Sequence, residues 1–165
     1  RLIKEKNIEF VIGSILKINK DSNRYNLLIV GSGPMECELK SIACPSKCIC
    51  FLGPIYDEVT LAKCFLISSG CVFAASAGLA VIHAMTYGTS VVLPTITHFP
   101  EAEALRFHKL GNFYSYCDFQ SFSKALRDCI AHESSCKREL TRNTIGGRYS
   151  PDFQIRAIEE ALSSL

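Results

Sequence analysis

The sequence predicts an α/β domain with a Rossmann-like, doubly wound parallel sheet, and three observations carry that reading. Five short apolar runs, at residues 26–30, 48–52, 71–75, 90–93 and 112–116, are bounded by turn residues, as strands buried on both faces are. Stretches with helical spacing lie between them, and strands alternating with helices at short intervals require parallel crossovers. The stretch 75–94, ASAGLAVIHAMTYGTSVVLP, reads as strand end, tight turn at Ser76-Ala77-Gly78, short apolar helix, second turn and strand. Such a unit aims free backbone N–H groups at the crevice above a parallel sheet, where phosphates and other anions sit.

Taken in order, residues 8–18 carry apolar side chains at 8, 11, 12, 15, 16 and 18, a helical stripe. NLLIV at 26–30 is the first buried strand, ended by Gly31-Ser32-Gly33-Pro34, and 35–43 is the next helix. The strand at 48–52 closes at Gly53-Pro54, and Asp57 is placed to cap a helix running to residue 67. Strand 71–75, helix 79–87 and strand 90–93 form the central unit. Pro100 opens a helix at its favoured first position, with Glu101 and Glu103 in the first turn and Gly111 as its stop. Strand 112–116 is followed by an amphipathic helix over 121–132 and a helical stretch over 140–145 ahead of Gly146-Gly147. Pro151 starts a terminal helix over 151–165, with Phe153, Ile155, Ile158, Ala161 and Leu162 as its packing positions. A doubly wound domain ordinarily opens with a strand. Here a helix comes first, so a strand is expected ahead of Arg1, and a start without Met reads as part of a longer protein.

With 165 residues, 48% of them hydrophobic and 21% charged, the chain suits one domain with a full core. A net charge of +2 with no basic cluster gives no indication of nucleic acid or an anionic membrane. No apolar run approaches the roughly 20 residues of a membrane span, and no signal peptide is recognisable. The nine cysteines, an odd number, form no regular disulfide framework. Cys64, Cys71 and Cys129 fall in apolar patterns, where a free thiol behaves as a small hydrophobe. The cluster Cys44, Cys48 and Cys50 lacks the second ligand pair that zinc sites show, so reduced thiols and no metal are expected.

Generic motifs give little. Gly31-Ser32-Gly33 follows a strand, but Glu36 stands where a dinucleotide fingerprint needs its third glycine, and a plain tight turn accounts for it. There is no Walker A sequence, no GxSxG elbow and no carboxylate pair suited to general acid–base work.

The order of segments is more specific. RLIKEKNIEFVI resembles a "Gly-Arg-Leu…Glu-Lys-Gly" opening with Asn7 in place of the glycine, and NLLIVGSGP and CFLGPIYDEVTLAKC resemble the two strand signatures that follow. GLAVIHAMTYGTSVV is similar to "Gly-Leu-Pro-Val-Leu-Glu-Ala-Met-Ala-Cys-Gly-Thr-Pro-Val-Val", and Glu103 and Gly111 keep the spacing beyond it. In this succession, over residues 1–130, the chain resembles the C-terminal, donor-binding half of GT-B-fold glycosyltransferases of the retaining family 4 type. The resemblance implies a cytoplasmic enzyme, or one peripheral to the inner face of the membrane. It would transfer a hexose-type sugar from a nucleoside diphosphate such as UDP or GDP, without a metal ion or cofactor, as in polysaccharide biosynthesis. The saccharide or lipid-linked acceptor would be held by an N-terminal domain outside this sequence, and the 165 residues alone would be inactive.

Residue by residue, the resemblance assigns Arg1 and Lys6 to the diphosphate, as the catalytic cations. Donor contacts fall to Gly33, to the backbone of Ser76, Ala77, Gly78 and Leu79, and to His83 and Glu103. From the residues alone, Arg1 and Lys6 equally suit a solvated basic terminus, and Ser76 an ordinary helix N-cap. His83 equally suits a core histidine satisfied by backbone, and Glu103 a favourable charge in a first turn. Many relatives carry two glutamates eight positions apart, and here Ala75 and His83 occupy those positions. A non-catalytic nucleotide-binding or scaffold domain, or another GT-B enzyme such as a sugar-nucleotide epimerase, therefore stands beside the transferase reading.

Overall fold

A computed structural model describes residues 1–20, 25–44, 46–97, 100–108 and 110–163. The last two residues of the helix expected over 151–165 thus lie outside the described residues. The expected α/β order is present. Helices α1 (Ile8–Ile18), α2 (Glu36–Ala43), α3 (Glu58–Ile67), α4 (Leu79–Thr86) and α5 (Glu103–Phe107) interleave with strands β1 (Leu27–Val30), β2 (Ile49–Gly53), β3 (Cys71–Val72), β4 (Val91–Pro94) and β5 (Gly111–Tyr114). Three helices follow: α6 (Phe119–Ala131), α7 (Ser135–Arg148) and α8 (Pro151–Ser163).

Every strand pairing among the described residues is parallel, because each connection runs through a helix. The five strands hydrogen-bond as two sets: β1 with β2, and β3, β4 and β5 in that order. β4 sets the frame. It is paired on both sides and buried at all four positions. Its period of two sends Val91 and Leu93 to one face, where they pack with Val81 and Met85 of α4, Leu105 of α5 and Ile145 of α7. Val92 points to the other face, against Val11 and Ile15 of α1 and Phe122 and Leu126 of α6. Helices therefore cover both faces, as a doubly wound sheet requires. A third apolar cluster joins Leu2, Ile12 of α1, Ile29 of β1 and Leu39 of α2.

Four local expectations need correction. Gly111 opens β5; α5 ends at Phe107, after a 3-10 turn over Pro100–Ala102. A Cβ at Gly111 would lie 2.9 Å from the Phe113 ring and 3.0 Å from Leu105, so close packing explains the glycine. α7 continues through Gly146 and Gly147, held at its start by Ser134, which accepts from the Lys137 N–H, and by buried Thr141 and Ile145. The expected packing positions of α8, Phe153, Ile155, Ile158, Ala161 and Leu162, are exposed: the stripe is present, but it lies beyond the core clusters. Ser76 does not cap α4, whose N-cap is Gly78.

Candidate functional site

The site is assembled on the turn that follows β1. Leu2 is buried there, its N–H donating to the Ser32 carbonyl at 2.9 Å and its carbonyl accepting from the Met35 N–H at 3.1 Å. Gly33 makes this possible. A Cβ on it would fall inside contact distance of the Leu2 carbonyl and 2.8 Å from the Leu2 nitrogen. The incomplete glycine motif is thus a cradle for the first residues of the chain, and Gly33 carries their backbone.

From Leu2 the chain makes a 3-10 turn over Lys4–Lys6, closed by Asn7 in the left-handed region at φ 48°. That turn presents Lys6 to the loop between β3 and α4, where Nζ donates to the Ser76 carbonyl at 2.7 Å. One bond commits one of three ammonium donors and leaves two to face a ligand. Arg1, which is exposed, and Lys6 share a cavity of about 960 Å³ with Ser76, Ala77 and Gly78. Gly78 caps α4 with φ −117° and ψ −129° and no side-chain hydrogen bond, and no acidic residue stands in the first turn. The helix therefore offers uncapped N–H groups and its positive dipole end beside two cations. Leu79, the first helical residue, is 72% exposed at this end, while Ala75 is packed in the core and offers only a methyl.

His83 sits one turn further along α4 and is held by a side chain, in contrast to the buried, backbone-satisfied alternative. Its Nε2 lies 2.8 Å from Glu58 Oε1, and the Tyr87 hydroxyl donates to the same oxygen. Phe65 stacks on Tyr87 with ring centroids 5.6 Å apart and lies 5.4 Å from the His83 ring. The hydrogen bonds from Tyr87 and His83 hold the Glu58 carboxyl below its ordinary value, and the one to Glu58 raises the Tyr87 phenol. Glu58 was not singled out by sequence, since a glutamate in the first turn of a helix is commonplace. Only the fold brings it across to α4.

Glu103 stands apart from this cluster. It lines a separate recess of about 420 Å³ with Thr95, Ile96, Thr97 and Arg106, and its carboxylate pairs with Arg106 at 3.3 Å. Arg1, Lys6 and the 76–78 loop are thus brought together, Gly33 supports them from beneath, and His83 and Glu103 lie outside the shared cavity lining. Among the described residues, no group of three or more His, Cys, Asp or Glu side chains is placed to hold a metal ion. Cys48 lies 3.0 Å from Asn19 Nδ2 and 2.8 Å from Ser46 Oγ.

A family model described as "Glycosyl transferases group 1" matches residues 1–132. No curated protein sequence matches the chain. Among solved structures, an S. aureus TarM mutant in complex with fondaparinux, α-GlcNAc-glycerol and UDP is 18% identical, with a TM-score of 0.80 over 99% of this chain and 33% of that one. The catalytic domain of cholesterol-α-glucosyltransferase from Helicobacter pylori is 19% identical, with a TM-score of 0.71 over 91% and 94% of the two chains. A glycosyltransferase from Rickettsia africae ESF-5 is 15% identical, with a TM-score of 0.78 over 98% and 45%. The chain therefore spans about a third of the length of TarM. At these identities the likeness shows the fold, an α/β domain of the Rossmann-like kind these enzymes contain.

Proposed function

For a chain that belongs to the group 1 glycosyl transferases, as its match over residues 1–132 shows, we propose the role of donor-binding half. It holds a nucleoside-diphosphate sugar, UDP- or GDP-linked, while a second domain presents a saccharide or lipid-linked acceptor. The observation that carries this is the hydrogen bond from Lys6 Nζ to the Ser76 carbonyl. It sets a cation beside the uncapped N-terminus of α4, on a cavity that Arg1 also lines.

The chemistry suits a departing diphosphate. As the bond from sugar to phosphate breaks, negative charge grows on the leaving oxygens. Fixed positive charge lowers the barrier by whatever it gains between ground and transition state. One cation at roughly 4 Å in a partly screened site contributes ~4 kcal/mol of Coulomb energy before desolvation. In this reading Lys6 and Arg1 meet the diphosphate, and the backbone N–H groups at Gly78 and Leu79 complete the cradle without a metal ion. His83, held by Glu58, serves the sugar or ribose, and Glu103 acts from the separate recess that it lines with Arg106. Transfer is with retention, the reaction takes place in the cytoplasm, and the isolated chain binds donor without turning it over. The S. aureus TarM structure, which contains UDP, supports the nucleotide class.

A non-catalytic nucleotide-binding domain remains the second reading, favoured by buried Ala75, whose side chain has no polar atom for a sugar hydroxyl. Titration of the chain with UDP, GDP and a UDP-sugar, followed by amide NMR, tests the shared premise. Shifts at Ser76 to Leu79 and at Lys6 are expected. Millimolar nucleotide that leaves those amides unmoved counts against both readings. Glycosyl transfer by a longer protein that includes the second domain separates them.

A further inference from the structure

Glu58 and His83 meet across α3 and α4. Asp57 and Glu58 are adjacent acids at the start of α3, and they are used differently. Asp57 accepts from the Thr60 N–H at 2.8 Å and from the Thr60 hydroxyl at 2.6 Å, which commits it to the cap. Glu58 is left to reach α4, where its Oε1 accepts from the Tyr87 hydroxyl and lies 2.8 Å from His83 Nε2. The far end of α3 is tied to the same frame. The Thr89 hydroxyl donates to the Phe65 carbonyl at 2.9 Å, and Arg138 Nη1 donates to the Leu66 carbonyl at 3.1 Å. The Phe65 and Tyr87 rings, with centroids 5.4 and 5.6 Å from the imidazole, limit its rotation.

The pair has a fixed polarity. Its two hydrogen bonds hold the Glu58 carboxyl below its ordinary value, so near neutrality it is an anion that can only accept. The proton between the two side chains therefore belongs to Nε2. In a neutral imidazole the other nitrogen, Nδ1, is then an acceptor, and among the described residues nothing hydrogen-bonds to it. The His83 side chain keeps 35% of its surface exposed. It stands four residues past Leu79, about 6 Å along α4 from the uncapped N-terminus. That is within reach of a group attached to a phosphate held there.

The geometry points to Glu58 as a positioning residue: it fixes His83 with its proton on Nε2 and so presents Nδ1 as a hydrogen-bond acceptor to a sugar-ring hydroxyl, of the ribose or of the transferred hexose. A glutamate at position 83 would be an acceptor only. Glu58 confers the same polarity on a histidine, from a different helix. The hydroxyl rests on the donor-binding reading; the state of the free imidazole does not.

Nitrogen-15 NMR of the histidine rings at pH 8 tests it on the 165-residue chain. The parent is expected to carry the His83 proton on Nε2 alone. Glu58→Gln offers the ring a donor as well as an acceptor, so the Nδ1–H tautomer becomes populated. Tyr87→Phe removes the other bond to the same oxygen and leaves the tautomer unchanged, which separates positioning from general loosening. Addition of UDP or GDP is expected to shift the Nδ1 signal of the parent if the hydroxyl is the ribose's, and their 2′,3′-dideoxy analogues then leave it unmoved. If the hydroxyl is the hexose's, only UDP-glucose or GDP-mannose shifts it. Glu58→Gln weakens whichever of these moves Nδ1 about tenfold. A proton on Nδ1 in the free parent, tautomers unaffected by Glu58→Gln, or nucleotides and nucleotide sugars that shift the Ser76–Leu79 amides but not Nδ1 overturn the proposal. Nucleotides and nucleotide sugars that shift neither contradict the donor-binding reading and remove the hydroxyl, and the free imidazole then decides the role of Glu58.

Discussion

Lys6 and Ser76, 70 residues apart in sequence, are joined by a 2.7 Å hydrogen bond from the lysine Nζ to the serine carbonyl. The bond fixes the first turn of the chain to the loop that starts α4, so the docking of that turn depends on one side chain, the same one that the proposed function assigns to the diphosphate. Lys6→Ala is expected to weaken nucleotide binding about tenfold, or ~1.4 kcal/mol. Lys6→Arg keeps the charge and recovers part of it. Calorimetric titration with UDP reads both variants.

Gly33→Ala tests the support beneath the site. The added Cβ collides with Leu2 backbone, which is hydrogen-bonded on both sides and cannot yield cheaply. Overpacking of this kind costs ~1–3 kcal/mol, and the displacement carries Arg1 and Lys6 away from the loop. Lower thermal stability and lost nucleotide binding are both expected. Gly13→Ala, in α1 with nothing within 4 Å of its added Cβ, should stabilise or leave the protein unchanged.

The clasp of Glu58, His83 and Tyr87 predicts a pH window. The Glu58 carboxyl lies below its ordinary 4.5, so its contribution is complete above that pH and is lost as the pH falls through the depressed value. The Tyr87 phenol lies above its ordinary 10.0, so that contribution is complete below pH 10 and is lost as the pH rises past the elevated value. Melting temperatures of the parent and Glu58→Gln should differ by a few degrees at most near neutrality, since the carboxylate is exposed. That gap should close in acid.

Cysteine reactivity should divide sharply. Burial pushes Cys129 up to about 11 and Cys71 up to about 12. Cys37, Cys44, Cys50, Cys117 and Cys136 are exposed. Alkylation at pH 7.5 under native conditions, mapped by mass spectrometry, should modify the exposed five well before Cys71 or Cys129.

Much of the fold was legible because its signals are local. The stripe over 8–18 and the Asp57 cap both match the helices formed, with Asp57 accepting from the Thr60 N–H at 2.8 Å. Gly111 was misread because a glycine before a strand looks like a helix stop when its reason, the Phe113 ring, is not visible in sequence. The stripe of α8 was read correctly as a pattern, but periodicity does not say what covers it. In the candidate site, Arg1 and Lys6 were assigned to the diphosphate through resemblance, and the carbonyl that positions Lys6 emerged only from the fold. Glu58 was missed because its partners His83 and Tyr87 lie 25 and 29 residues away.

In the proposed function, the segment carrying Arg1 and Lys6 forms a diphosphate cradle with the start of α4. The most direct measurement is an amide NMR titration comparing UDP with uridine. UDP is expected to shift the amides of Lys6 and of Ser76 through Leu79, uridine at the same concentration to leave them nearly unmoved, and Lys6→Ala to abolish most of the difference. Equal shifts from uridine and UDP, or UDP shifts confined to residues remote from α4, would contradict it.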